Sequence, residues 1–410
     1  MKIGILTYHY VPNFGANLQT LSTLEYLKNH GHNPIVINWQ PKSVVKSYEG
    51  RVPIIQRNKH LEFLKHYIPM TEICISDDDI INEIKRNQID AIIVGSDVVL
   101  RYTSWRSQFK IFQSRMPLRF IKRTYDVVFP NPFWLNFLTK TSELSKLPSA
   151  LMSVSSMGSK YIEIPLRVKK MMFKQLKQFK FISVRDSWTR EMVKAISLNM
   201  IDPKITPDPV FGFNQNVKND CTRNEILNKY NLPEKYLVIS FRNNYINTQW
   251  IKEFEILSEE ANLKCVELAV PEGTLNLPLK HKIDIPLDPI DWYNIIRYSS
   301  GYIGQNMHPI VICIHNCVPF YSFDDYGGNT IAKSKNLAFS PSKIFDLLNH
   351  TSFTKNCFNV GAESFDRIDK KEILRIIKNF DFKRCKMVSN ELEREYNNMM
   401  KKLLNRLEIS

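Results

Sequence analysis

The sequence predicts an α/β protein built from two Rossmann-like domains. Three observations lead there: a length of 410 residues, a repeated alternation of short apolar strands with helices, and a polar break near the middle of the chain. A single hydrophobic core seldom grows far beyond ~250 to 300 residues, so two domains are the starting expectation. Hydrophobic residues make up 43% and charged residues 24%, an ordinary globular balance with enough apolar material for two cores.

Lys2 to Leu6 reads as a strand, followed by a Tyr/Pro/Asn/Gly loop and a helix on which Leu18, Leu21, Leu24 and Leu27 recur on one side before Gly31. Pro34 to Trp39 reads as the next strand. Strand, loop, helix, strand is the unit that builds a parallel sheet. The alternation continues with Asp90 to Val94, ending in Gly95-Ser96-Asp97, then Ala150 to Ser155, then Phe181 to Val184, ending at Arg185-Asp186. Turn residues concentrate at Thr206 to Phe211 and through the polar stretch Asn214 to Asn224, which predicts an inter-domain linker. Beyond it, strands are expected at Tyr236 to Phe241, Lys264 to Ala269, Gly301 to Gly304 and Pro319 to Phe323, with helices at Gln249 to Glu260 and Asp291 to Tyr298. The expected division is residues 1–212, residues 213–369, and a charged helical tail at 370–410 that packs back on the first domain.

A formal charge of +15 favours anionic partners: phosphorylated small molecules, anionic lipid surfaces or nucleic acid. The first residues, MKIGILTYHYVPNFG, lack the apolar core and small-residue cleavage site of a signal peptide, and no 18-residue uncharged apolar run occurs. A soluble or peripheral protein is expected. The seven cysteines, Cys74, Cys221, Cys265, Cys313, Cys317, Cys357 and Cys385, are odd in number and scattered, which fits reduced thiols in the cytoplasm. Cys313 and Cys317 have helical spacing, yet no second Cys or His pair stands at zinc-site distance, so no metal is expected.

One region departs from the alternation. Arg101, Arg106, Lys110, Arg115, Arg119, Lys122 and Arg123 occur with no acidic residue between them, and Phe129-Pro130-Asn131-Pro132-Phe133-Trp134 follows. Basic residues beside exposed aromatics suit an anionic membrane interface. A solvated basic face with the aromatics in the core fits the same pattern equally well. Stacking on single-stranded nucleic acid ranks last, because no recognition module accompanies it.

In open α/β sheets ligands lie outside the carboxyl ends of the strands. Five positions qualify. After the first strand, Tyr8 to Gln19 includes Gly15, which permits close backbone approach, and a helix start that presents free N–H groups to an anion; a turn with a capping Asn is the alternative. It is not a dinucleotide fingerprint. Asp97 can grip or deprotonate a hydroxyl, or cap a helix. Arg185 can fork onto a carboxylate or phosphate, or pair with Asp186 or Asp208. Asp208, between two prolines, reads as a hinge-fixing residue. His308 opens a helix with Pro309 in its first turn, where a missing N–H costs nothing, and stands ready to contact an anion or exchange a proton.

Together and in this order, these residues resemble the polysaccharide pyruvyl transferase family. Asn13-Phe14-Gly15-Ala16-Asn17-Leu18-Gln19 matches its opening motif, and Gly95-Ser96-Asp97, Ser183-Val184-Arg185-Asp186 and Asp208-Pro209-Val210-Phe211 match the next three. His308 and Pro319 match its histidine and the proline that follows, and Tyr326 and Lys343 fit its tyrosine and helix-opening lysine, with Lys333 and Lys335 as rivals for the lysine. The sequence departs at Pro309, where the family prefers glycine, and at Val98-Val99-Leu100, where it has a glutamine and a tryptophan.

The resemblance implies a glycosyltransferase-B-like (GT-B-like) architecture with the active site in the inter-domain cleft, and transfer of the carboxyethylidene group of phosphoenolpyruvate to two hydroxyls of a sugar. The acceptor would belong to a capsule or other exopolysaccharide, or to its lipid-linked precursor. It implies donor contacts from Arg185, His308, Lys343, Lys335 and Tyr326, with proton transfer at His308. Acceptor contacts would come from Asn13, Gly15, Gln19, Ser96 and Asp97, with Asp97 as a base. The unmatched segment 101–140 would shape acceptor choice. Phosphoenolpyruvate would be donor substrate, with no cofactor, no metal and no nucleic acid. The enzyme would be cytoplasmic, with peripheral contact at the inner face of an anionic membrane. A nucleotide-sugar-dependent transferase of the same shape is the alternative, and a non-catalytic module that only binds is a third reading.

Overall fold

The computed structural model describes residues 1–104, 109–110, 119–120, 123–242, 247–325, 342–360 and 365–409. Two six-stranded, wholly parallel sheets organise it. The first contains β1 (Lys2–Leu6), β2 (Asn33–Val36), β3 (Ala91–Asp97), β6 (Ser149–Val154), β7 (Phe181–Val184) and β8 (Lys204–Ile205), ordered β2-β1-β3-β6-β7-β8. Between β3 and β6 lies a small antiparallel pair, β4 (Phe109–Lys110) with β5 (Arg119–Phe120). The second contains β9 (Tyr236–Ser240), β10 (Lys264–Leu268), β11 (His281–Ile283), β12 (Gly301–Gly304), β13 (Phe320–Asp324) and β14 (Cys357–Asn359), ordered β11-β10-β9-β12-β13-β14.

Each order reverses once, between β1 and β3 in the first sheet and between β9 and β12 in the second. At such a switch point the connections leave in opposite directions and open a crevice beyond the strands' carboxyl ends. The central strands are fully buried, as in β6 and β9, because helices cover both faces. Local chemistry fixes the helix starts. Asn13 Oδ1 accepts from Ala16 N at 3.2 Å to start Phe14–Asn29, and Asp186 Oδ1 accepts from Thr189 N at 2.7 Å to start Ser187–Ser197.

The first part of the region expected to be a linker, which connects the two sheets, is packed. Val210, Phe211 and Phe213 are buried, and Ser22 Oγ donates to Pro209 O at 2.7 Å across from the first helix. The prolines lie in this buried turn, whereas Asn214, Gln215, Lys218, Asp220 and Asn224 in the stretch that follows are exposed. One hydrophobic cluster joins the domains, running from Ile5 and Leu24 through Phe211 to Trp292 and Ile312. The final helix, Phe382–Glu408, lies over this junction: Tyr396 is fully buried, edge-on to Tyr26 at 5.7 Å, and receives a hydrogen bond from Asn216 Nδ2.

Phe133 and Trp134 are buried, at 0% and 1% exposure, with Phe133 packed against Trp39 and Tyr8. They are core residues and offer nothing to a membrane surface. Arg106, Arg115 and Lys122 lie outside the described residues, as do Tyr326, Lys333 and Lys335. All seven cysteines are free. No described helix is long and apolar enough to cross a membrane.

Candidate active site

The two switch points face each other across a cleft of about 730 Å³. The carboxyl end of β1 delivers Tyr8, that of β3 delivers Asp97, and the turn after β12 delivers Asn306 and His308 at the start of helix Met307–Asn316. Lys343 arrives from the start of helix Lys343–His350, capped by Ser342. It also lines, with Arg185, a smaller cavity of about 280 Å³ behind the cleft. Arg185 lines the smaller cavity and not the cleft, so Lys343 is the cation that the two spaces share.

Arg185 is the centre of the cluster. Its Nη1 donates to Asp208 Oδ2 at 2.7 Å and its Nη2 stands 3.5 Å from Asp97 Oδ1, while Nε and Nη2 are buried without a hydrogen-bond partner. Asp208 Oδ2 also receives Gln19 Nε2 and lies 3.9 Å from His308 Nε2. Its other oxygen accepts from Val210 N at 3.0 Å. Asp208, read from sequence as a hinge residue, is therefore the hub that orients Arg185, Gln19 and His308; its place in the fourth matching motif was the signal available.

These charges act on one another. Burial would raise the Asp97 carboxyl, but Lys343, Arg185 and His308 hold it below its usual range. Burial lowers Lys343 to about 8, helped by repulsion from Arg185 and opposed by Asp97 and Asp186. Burial lowers His308 to about 4, with Asp208 opposing and Arg185 reinforcing the shift. At neutral pH the site therefore presents Arg185 and Lys343 as cations and His308 as a neutral imidazole whose Nε2 is buried and unpartnered.

Gly15 explains itself sterically. A Cβ there would lie 2.1 Å from Cγ and Nδ1 of His308, so only glycine lets the first domain's helix press its backbone against the ring. Pro309 occupies the first turn of its helix, where its missing N–H leaves no gap in the hydrogen bonding.

The structure brings Asn13, Gly15, Asp97, His308 and Lys343 to the cleft wall. It does not bring Gln19 and Ser96 there. Each is 2% exposed; Gln19 serves Asp208, and Ser96 Oγ donates to Ser153 O at 2.9 Å. They support the site from behind because their side chains leave the helix and strand on the core side. Asp97 faces the cations Lys343 and Arg185. Its φ of +81° is rare for a residue with a side chain. Sequence reasoning placed Tyr8 in the loop after the first strand without giving it a role, and missed Asp126, Arg51 and Arg242; all four line the cleft. None has a local motif to announce it. Among the described residues no group of His, Cys, Asp and Glu could hold a metal ion.

Two parallel α/β domains facing a shared cleft, with a buried cationic cluster at its base, define the chain as a two-domain GT-B-like protein. The chain belongs to the polysaccharide pyruvyl transferase family, which it matches over residues 13–325. The fold is also similar to UDP-GlcNAc 2-epimerase from Neisseria meningitidis, solved with UDP-GlcNAc, at 11% identity over 100% of both chains with a TM-score of 0.57. The spinosyn rhamnosyltransferase SpnG aligns at 11% identity over 100% of both chains with a TM-score of 0.50. No curated protein matches the sequence.

Proposed function

We propose that the protein moves the carboxyethylidene group of phosphoenolpyruvate onto two hydroxyls of one sugar, in a cell-surface polysaccharide or its lipid-linked precursor, releasing phosphate. Supporting this reading, beyond the family, is the buried Arg185, whose Nε has no hydrogen-bond partner, together with Lys343 and the neutral His308. Asp208 and Asp97 already face Arg185; its remaining donor together with the Lys343 ammonium suits an anion, and phosphoenolpyruvate brings two anionic groups.

The chemistry follows from those groups. A proton adds to the methylene carbon and leaves its neighbour electron-poor, and the first sugar hydroxyl adds there, giving its proton to a base. The bond to phosphate then breaks as the second hydroxyl closes the ring, and that hydroxyl's proton leaves with the phosphate. Arg185 suits the donor carboxylate through its planar fork, and Lys343 suits the leaving phosphate as a compact charge. His308 moves the proton to the methylene carbon: the donor's negative charge offsets Arg185 and Lys343, raises the ring's proton affinity, and lets it charge in the complex. The reaction as written uses no further cofactor.

The test supplies phosphoenolpyruvate and nucleotide sugars in separate reactions with a panel of saccharides, and follows inorganic phosphate against nucleoside diphosphate. Acceptor-dependent phosphate release is expected only with phosphoenolpyruvate. Release of nucleoside diphosphate instead would make the protein a nucleotide-sugar transferase of the same architecture. His308→Ala should abolish transfer while leaving the circular dichroism spectrum unchanged.

A further inference from the structure

Among the described residues four carboxylates line the cleft: Asp97, Asp126, Asp324 and Asp325. Three have evident occupations. Asp97 faces the cations Lys343 and Arg185, Asp324 accepts from the Ser342 hydroxyl, and Asp325 is exposed to solvent. Asp126 differs. It is 7% exposed, its Oδ2 accepts from Tyr8 Oη at 2.5 Å, and its Oδ1 is buried with no hydrogen-bond partner.

Tyr8 is itself 9% exposed and lines the same cleft. Burial first, and then the neighbouring Asp126, raise its hydroxyl well above its ordinary value. The phenol therefore keeps its proton at any physiological pH and directs it at Asp126. What Tyr8 Oη has left is lone pairs. The pair thus presents two acceptors close together, Tyr8 Oη and Asp126 Oδ1, and no free donor. An anion is repelled there, and an apolar group would leave a buried carboxylate oxygen unsatisfied. A ligand that donates two adjacent hydroxyl protons fits. Thr7 Oγ1 donates to Ser96 O at 2.9 Å, which sets the strand ends that carry Tyr8 and Asp97 side by side. Phe133, 4.9 Å from the Tyr8 ring, and Asn131, whose Nδ2 donates to Asp126 O at 2.8 Å, hold the two residues in place.

We propose that Tyr8 and Asp126 form the acceptor subsite, binding the two hydroxyls of a saccharide diol through Tyr8 Oη and Asp126 Oδ1. This rests on the pyruvyl-transfer reading, since ketal formation is the step that needs two hydroxyls of one sugar held side by side. It moves acceptor recognition from the matched motif residues to a pair 118 positions apart in the chain.

The experiment compares the wild type with Asp126→Asn and Tyr8→Phe, both of which preserve side-chain volume. Phosphoenolpyruvate affinity is measured by calorimetry. Binding of the methyl glycosides of galactose, glucose and mannose to the phosphoenolpyruvate-loaded protein is measured by saturation-transfer NMR, with KM and kcat for any that react. The expected result is unchanged phosphoenolpyruvate affinity with glycoside binding weakened about tenfold or more in each variant. Wild-type glycoside affinity in Asp126→Asn overturns the subsite and leaves the donor reading standing. Phosphoenolpyruvate binding by the wild type with no glycoside bound also overturns the subsite alone. A wild type that binds no phosphoenolpyruvate overturns the donor reading and the subsite with it. Loss of phosphoenolpyruvate affinity in both variants would show a structural role and equally overturns the assignment.

Discussion

Raising the pH should weaken phosphoenolpyruvate binding along a single limb set by Lys343. Burial removes much of the ammonium's hydration, Arg185 repels it, and Asp97 and Asp186 restore part of the loss, leaving its pKa at about 8. At about pH 9 only about one site in ten is then charged, so affinity should fall about tenfold, or ~1.4 kcal/mol, for each pH unit above the pKa. The assay is the dissociation constant at fixed ionic strength between about pH 7 and about pH 9.5, a window that keeps Lys343 as the titrating group. Lys343→Arg keeps a permanent charge and should flatten the limb. Asp97→Asn removes an attractive neighbour and should move the limb to lower pH. A wild-type affinity that stays level to the top of the range, or a limb that survives in Lys343→Arg, refutes the assignment of Lys343 to the donor. Stability gives a second reading of the same shift. The folded pKa lies below the unfolded value of 10.5, so the charged lysine costs the fold about 3 kcal/mol at neutral pH, a penalty that fades as pH rises from about 8 to about 10.5. Lys343→Met should therefore raise the melting temperature while removing activity.

Gly15→Ala should cut kcat about a hundredfold without unfolding the protein, because its methyl group must displace the His308 ring that lies 2.1 Å from where it would be. Thermal melting and kcat together check it. Asp208→Asn leaves Arg185 buried without its closest counter-charge and should cost about 3–5 kcal/mol, read as a fall in denaturant midpoint. Acid should destabilise the protein through its buried neutral histidines. His308 and His60 are lowered to about 4 and His315 to about 3, all below the unfolded value of 6.5. The unfolded chain binds more protons in that interval, so stability is full above about pH 6.5 and falls with acidification, by about 2 kcal/mol per histidine at about pH 5. Melting temperature measured between neutrality and about pH 5 checks the sign.

The alternation of strand and helix was legible because parallel strands buried on both faces read as continuous apolar runs, such as Ile92 to Val94 and Leu237 to Ile239. Short edge strands such as Lys204–Ile205 and Cys357–Asn359 were not; two or three residues carry no periodicity. Arg185 and His308 were legible for a structural reason: Arg185 directly follows β7 and His308 opens the helix after β12, each at the carboxyl edge of its sheet. Asp208 was read as a hinge residue and offered as a partner for Arg185, and that pair is present; nothing local reveals that the same carboxylate also gathers Gln19 and His308. Tyr8 fell within the loop singled out after the first strand, but its pairing with Asp126 was invisible, because their bond closes a loop of 118 residues through a segment whose aromatics looked equally suited to surface or core.

The central claim is that this cleft makes a pyruvate ketal. The most direct measurement is mass spectrometry of a saccharide panel incubated with the protein and phosphoenolpyruvate, with periodate or methylation mapping of the hydroxyls consumed. The account predicts an acceptor that gains a carboxyethylidene group bridging two hydroxyls of one sugar, in step with phosphate release and absent with His308→Ala. An acceptor that gains a hexosyl group from a nucleotide sugar, with phosphoenolpyruvate untouched, would contradict it.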